Sequence, residues 1–309
     1  LRAPTIGFRE VYEDKRRTAQ LLAMVKQQRD EEMKESRDQV LGQNNMEVTP
    51  EELEAMRKRL AGGGGSSKGF PDPATLAKPE AGKAFDNSLA AKLNPLAQGK
   101  IWIATTEVSV KQYELFLEET KRAWPDRPRF LSGDSQPAAG VSWNDAKAFC
   151  TWLTRFEREA GLLPEGATYR LPRDVEWSEA AGLSNESGAD PAARSGGNTE
   201  HFPWAGSSWP PARQSANLDA TKIEGFDDNH AYTCEVASNE ANGGGFYEMG
   251  GNVSEWCEEA WPGAEDERVV RGGSWLSFER ETLLTSHRQH VPASATRPNL
   301  GFRLALSLP

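Results

Sequence analysis

The pattern of apolar and polar positions changes character along the chain. From Phe8 to Leu41 no Pro or Gly interrupts it and Gly42 is a natural stop, so a long helix is predicted. Its apolar stripe is narrow: Leu22, Val25, Met33 and Val40 lie along it with Ala19 and Ser36, and Arg29 breaks it. A second helix is better specified. Thr49 is its N-cap, Pro50 suits the first helical position, Glu52 completes a capping box, and Leu53, Met56 and Leu60 share a face before Gly62. "GGGGSSKGFPDP" (Gly62 to Pro73) then has the composition of a flexible linker and marks a domain boundary.

Beyond the linker, strand and helix periods alternate. "IWIATTEVSVKQYELFLEET" (Ile101 to Thr120) begins as a strand and ends as a helix with Val110, Tyr113, Phe116 and Leu117 on one face. "GVSWNDAKAFCTWLTRFEREAG" (Gly140 to Gly161) predicts a helix capped by Ser142 that buries Ala146, Phe149, Cys150, Leu153 and Phe156. On that face Cys150 reads as a small core residue, not a reactive thiol. "YRLPRDVEWSEAAG" (Tyr169 to Gly182) predicts a short strand, a Pro turn and a short helix. After Gly182 the periodicity fades, and residues 183–250 are rich in Gly, Asn, Ser, Pro and Asp with isolated aromatics. So long an irregular stretch has to be held by tight turns, by a metal ion, or by buried Trp and Tyr with bonded polar ends.

Charge divides the chain the same way. Residues 1–61 carry 12 Lys/Arg and 12 Asp/Glu, so the net charge of −10 belongs to the remainder, where all ten tryptophans also lie. The acidic balance argues against nucleic-acid binding, which needs a basic face. No run of about 18 apolar residues is present to span a membrane. Cys150, Cys234 and Cys257 allow one disulfide at most and form no CxxC pair. A charged helix so poor in apolar residues buries little of itself, and two readings of the arm stay open: a solvated extension, or a segment that docks on another subunit. The start at Leu1 instead of Met is that of a processed or truncated product, from which a signal peptide could have been removed.

Six stretches, "TTEVSVKQYELFL", "GVSWNDAKAFCTWL", "YRLPRDVEWSEAAG", "GGGFYEMGGNVSEW", "VVRGGSW" and "NLGFRLAL", occur in this order. Together they resemble the formylglycine-generating enzyme, or sulfatase-modifying factor, domain. The resemblance covers about residues 84–309 and leaves the charged helical arm (1–61) and the Gly/Ser/Pro-rich linker (62–83) outside it. It implies an α+β, C-type-lectin-like sulfatase-modifying-factor fold with much irregular loop, and favours a periplasmic or extracellular location.

The resemblance also implies two calcium loops. In "YEMGGNVSEW" (Tyr247 to Trp256) Glu248, the carbonyls of Gly251 and Val253, and Glu255 match one loop position by position, with Glu248 standing where the family usually has Asn or Asp. The other would use Asn217, the carbonyl of Leu218, Asp228 and the carbonyl of His230, across a spacing shorter than usual. The oxygen chemistry suits a hard cation. Without metal, Glu255 would instead bond backbone amides, and the second loop would close on its own Asx side chains. One or two structural Ca2+ ions are therefore expected, and no copper.

The active enzymes of the family place two copper-binding cysteines beyond the "GGS" motif. Counting forward puts Ser277 and Thr282 there, counting back from "GFR" puts Trp275 and Arg280 there, and no cysteine follows Cys257. Hydroxyls are hard, protonated near neutral pH and cannot replace thiolates on copper(I), so the family's oxidase chemistry should be absent. His287 and His290 form an HxxH whose rings would share a face in a helix, a weak metal signal without a third ligand. Glu258 and Glu259 read as solvated. Arg271, Arg288 and Arg303 match family positions and read as structural ties between loops, and Trp256 and Trp275 as core residues whose indole N–H groups bond loop carbonyls.

The expected function is a non-catalytic binding or structural subunit in a larger protein assembly, meeting other subunits through the arm and the loops at 183–250 and 276–298. The alternatives are a metal-dependent oxidoreductase with non-cysteine ligands, using His287 or His290 with nearby carboxylates, and a carbohydrate-binding lectin-like module. The lectin reading rests on fold analogy alone.

Overall fold

The computed structural model describes residues 69–309; the predicted arm (1–61) and linker residues 62–68 lie outside them. Two sheets are formed from short strands. The first is built from β1 (Phe85–Asp86), β2 (Lys92–Pro95), β3 (Ile101–Ala104), β9 (Ala305–Ser307) and β4 (Thr168–Arg170), in that spatial order and antiparallel throughout. The second has the order β7 (Gln289–Pro292), β6 (Ala264–Arg271), β5 (Ser254–Trp261) and β8 (Leu300–Gly301), with β5 and β8 parallel. Strand β9 thus joins β3 to β4 in the first sheet, with Trp102 opposite Leu306 and Tyr169 opposite the same residue.

Two helices cover the aromatic core. Helix α1 (Val110–Thr120) starts at Ser109, whose hydroxyl accepts the Gln112 amide while the Gln112 side chain takes the Ser109 N–H, a reciprocal capping box. Helix α2 (Trp143–Glu159) is capped by Ser142 and buries Ala146, Phe149, Cys150, Leu153 and Phe156, as its periodicity predicts. Phe149 meets Tyr113, Phe116 and Phe302 at ring-centroid distances of 6.1, 5.4 and 5.4 Å, so the two helices and the last strands share one aromatic cluster. Short helix α3 (Asp174–Ala180) follows β4, and α4 (Pro191–Arg194) is a single turn.

From 183 to 250 the chain forms only α4 and two three-residue 3-10 turns. Its own apolar cluster, Phe202, Trp204, Ala216, Leu218, Ile223 and Phe226, is joined by Leu283 and Leu284 from the loop after Gly273. Side chains replace the missing ladders. Asn242 Oδ1 accepts the N–H groups of Gly244 and Phe246, and its Nδ2 donates to Ala180 O at 2.9 Å. Buried aromatics, one of the devices expected for this stretch, hold it together with Asx side-chain bonds.

Candidate functional site

The two candidate cation loops meet. The backbone of Asn217 bridges that of Gly251, and Asn217 O accepts the Asn252 N–H at 2.8 Å. Gly251 has a φ of +91°, and a Cβ there would stand 2.1 Å from Asn217 O, so only glycine allows this approach.

In the Asn217 loop, Asp228 folds back on its neighbours: Oδ2 accepts the Leu218 N–H at 2.8 Å and Oδ1 the His230 N–H at 3.0 Å. Asn217 Nδ2 donates to Tyr232 O, while Asn217 Oδ1 is buried with no hydrogen-bond donor. All four predicted residues thus sit around one closed turn, and the unpaired Asn217 amide oxygen is a donor type that a hard cation takes. Asn217, the Leu218 carbonyl, Asp228 and the His230 carbonyl are the groups that would hold it. Among the described residues no three His, Cys, Asp or Glu side chains form a group able to hold a metal, so such an ion would draw on amide and backbone oxygens.

The Glu248 loop fits a cation poorly as predicted. Glu255 accepts Arg303 Nη2 on Oε1 at 2.6 Å, and Arg303 Nε and Trp177 Nε1 on Oε2 at 2.7 and 2.8 Å. Both partners are buried, so the carboxylate is committed to a guanidinium and an indole, not to backbone amides as expected without metal. Burial works against the charge on Arg303, but the facing Glu255 raises its pKa. Glu248, at φ +48°, turns its carboxylate to the N–H groups of Ala237 and Asn239 at 2.9 and 3.1 Å. Burial raises its pKa against those bonds. Sequence reasoning missed Glu107, which is 1 % exposed and accepts Asn252 Nδ2 on Oε1 at 3.0 Å. Burial, then the neighbouring Glu248, holds its carboxyl well above the usual range. A Glu followed by Val108 in a strand-to-helix turn carries no metal-ligand spacing that would have marked it.

By the forward count, the positions where cysteines would act are hydroxyls engaged in turns. Ser277 Oγ accepts the Ser274 N–H at 3.0 Å, and Thr282 Oγ1 donates to Glu279 O at 2.8 Å. The three cysteines are buried and unpaired elsewhere. Burial pushes the thiols of Cys150 and Cys234 up to about 12 and that of Cys257 well above its ordinary value. None is a thiolate near neutral pH.

The histidine pair separates. His287 lies in a loop, half-buried, where burial and then Arg271 and Arg288 lower its pKa. His290 belongs to β7, stacks on Trp261 at 4.2 Å and pairs with Glu267. The segment enters a strand, so the common face of a helix never forms. Glu258 and Glu259 are half-buried and bonded: Glu258 pairs with Lys147 at 2.5 Å, and Glu259 accepts the Asp174 N–H while burial raises its pKa.

The arginines are ties. Arg271 and Arg288 converge on buried Asp174; burial opposes its ionisation, and the surrounding arginines nevertheless lower its pKa. Arg271 also reaches the carbonyls of Thr285 and His287, and Arg303 those of Ala104, Thr105 and Tyr247. Trp256 is fully buried and donates to Val141 O at 2.8 Å. Trp275 differs from expectation: it is half-buried and its indole N–H has no partner. It stands edge-on to Phe130 and Tyr232, which stack on each other at 4.7 Å. Tyr232 is 48 % exposed and adjacent Leu276 43 %, so this cluster opens onto the surface.

Residues 80–308 match the sulfatase-modifying factor enzyme 1-like domain. The chain is 33 % identical over 181 residues to the inactive C-alpha-formylglycine-generating enzyme 2 of Mus musculus, covering 55 % of this chain and 49 % of that protein. It is 29 % identical over 192 residues to the formylglycine-generating enzyme of Streptomyces coelicolor, covering 55 % of this chain and 52 % of that one. The chain therefore spans about half the length of these curated relatives. Among solved structures, PvdO from Pseudomonas aeruginosa shares the fold, with a TM-score of 0.55 at 20 % identity over 74 % of this chain and 99 % of that one. The chain belongs to the sulfatase-modifying factor enzyme 1-like domain family, with a mixed helix-and-sheet fold rich in irregular loop.

Proposed function

We propose that this chain is a non-catalytic binding subunit built on the family's domain. One observation carries the reading: neither placement of the cysteine positions, Ser277 and Thr282 or Trp275 and Arg280, offers a thiol, and all three cysteines are buried elsewhere. Copper(I) needs soft thiolates, and this loop offers hydroxyls. A relative named as inactive supports the same conclusion. The recognition surface is the aromatic cluster of Phe130, Tyr232 and Trp275 with Leu276, which draws on both irregular loops and faces solvent where a monomer would ordinarily bury such rings. Calcium in the Asn217–Asp228 loop would fix the turn that carries Tyr232, through the bond from Asn217 Nδ2 to Tyr232 O. The partner is another protein subunit, the charged arm at 1–61 adds a tether, and the setting is periplasmic or extracellular.

Metal analysis and an oxidase assay test this. The purified chain is expected to carry calcium without stoichiometric copper or iron. Supplied with copper(I) and oxygen, it should convert no cysteine of a sulfatase-type peptide to formylglycine. Turnover, or a stoichiometric redox metal, would sink the reading. Deleting residues 1–61 should abolish assembly and leave the domain folded; unchanged assembly removes the tether.

A further inference from the structure

Among the described residues three large apolar side chains are exposed: Val175, Tyr232 and Leu276. The last two belong to the aromatic cluster. Val175, 45 % exposed, stands on α3 and lines a separate cavity of about 320 Å³, the size of a small-molecule site. Its walls are α3, the turn that joins β2 to β3, and the loop at 183–186, with Leu96, Ile101 and Leu183 as further apolar lining. Three carboxylates and one guanidinium complete it. Two of the carboxylates are paired: Glu176 accepts both Nη groups of Arg170 at 2.6 and 2.7 Å, and Glu186 accepts those of Arg288 at 2.7 and 2.5 Å. Two charges are left over. Glu179 accepts the Ala97 N–H on Oε1 at 2.7 Å and has no cation among the described residues. Arg173 donates its backbone N–H to Glu176, and its exposed guanidinium has no partner among them.

The cavity thus offers one cation, one anion and an apolar floor. A polyanion such as a phosphate ester would meet the three wall carboxylates and is disfavoured. A zwitterion with apolar groups meets every feature. Six residues along the helix separate Arg173 from Glu179, about 9 Å at 1.5 Å per residue. The charged ends of a single amino acid lie too close for that span, whereas two or three extended residues cover about 7–11 Å. We infer that this cavity binds a short apolar peptide of two or three residues. Its terminal carboxylate sits on the Arg173 fork, its terminal ammonium on Glu179, and its side chains on Val175 and the neighbouring apolar lining. The site lies beyond the binding role proposed above: it shares no residue with the aromatic cluster or with the candidate cation loops.

Calorimetric titration of the full chain with leucyl-leucine tests this. The dipeptide should bind, and glycyl-glycine, which lacks the apolar groups, should bind about tenfold more weakly or worse. Blocking either end, as leucyl-leucine amide or N-acetyl-leucyl-leucine, should weaken binding about tenfold, the scale of one charge-assisted hydrogen bond. Arg173→Gln should weaken leucyl-leucine by a similar factor and leave the affinity for the amide unchanged, because the amide has already lost that contact. Val175→Asp, which brings a fourth carboxylate to the wall, should weaken every one of these ligands. Arg173 and Val175 are exposed, so neither substitution disturbs the core. No binding by the wild type at about 10 mM, tenfold above a millimolar Kd, overturns the inference. Equal affinity of Arg173→Gln and the wild type for leucyl-leucine overturns it too. Tyr232→Ala should leave the titration unchanged; a loss of binding there would place the peptide on the aromatic cluster and overturn this site.

Discussion

Between Ile101 and Gly182 the backbone largely satisfies itself. Strands pair, α1 and α2 close their own hydrogen bonds, and side chains are free to form the aromatic core around Phe149. Between Leu183 and Gly250 the balance reverses. Few backbone groups pair in ladders, and single side chains such as Asn242 and Asp228 each satisfy two amides. The first region spreads its stability over many equivalent contacts. The second concentrates it in a few polar hubs, so one substitution there should undo a whole turn.

The largest effect is expected where the two regions are tied. Arg303→Leu leaves Glu255 with only the Trp177 indole and strips donors from Ala104, Thr105 and Tyr247. A loss of about 3–5 kcal/mol in urea unfolding is expected; a loss under about 1 kcal/mol would mean the tie is dispensable. In the self-satisfied region, Leu153→Ala on the buried face of α2 should cost about 2–5 kcal/mol and lower the stability of the whole domain in one transition. A local loss confined to α2 would contradict that picture.

Glu157 sharpens the comparison through pH. Burial pushes its carboxyl up to about 7, although Ser88 and Tyr169 donate to it. The folded value lies above the unfolded one of 4.5, so its contribution is fully present below about pH 4.5 and is lost as pH rises through about 7. Over that window the loss is on the order of 3 kcal/mol, and Glu157→Gln should flatten the slope of unfolding free energy against pH. An unchanged slope would assign the pH dependence elsewhere.

The smallest global effect is expected in the irregular region. Asn242→Ala removes the acceptor for Gly244 and Phe246 and should cost about 1–3 kcal/mol. Amide hydrogen exchange should rise around 242–246 while α1 and α2 keep their protection. Uniform loss of protection would show that the two regions unfold as one.

What was legible follows the same division. Apolar periodicity located α1 and α2, Ser142 marked the start of α2, and Cys150 read correctly as core because its neighbours on the face are apolar. The loops at 183–250 were recognisable only as irregular, because an Asx hub leaves no period. Trp275 read as core by its place in "GGSW", yet it is only half-buried, edge-on to exposed Tyr232, and the pairing of His290 with Glu267 depends on β6 lying beside β7.

The sequence by itself determined that no thiol follows Cys257, and so that the segment beyond it offers no soft ligand, because residue type alone decides whether one exists. It also determined the helices of the framework, since their spacing is local. Only the tertiary structure decided how the carboxylates are shared. That Glu255 answers to Arg303, and that Glu107 is left with an oxygen no donor reaches, depends on groups 48 and 145 residues apart meeting in one buried place. Charge balance in the interior is set by such meetings, and no spacing along the chain encodes them.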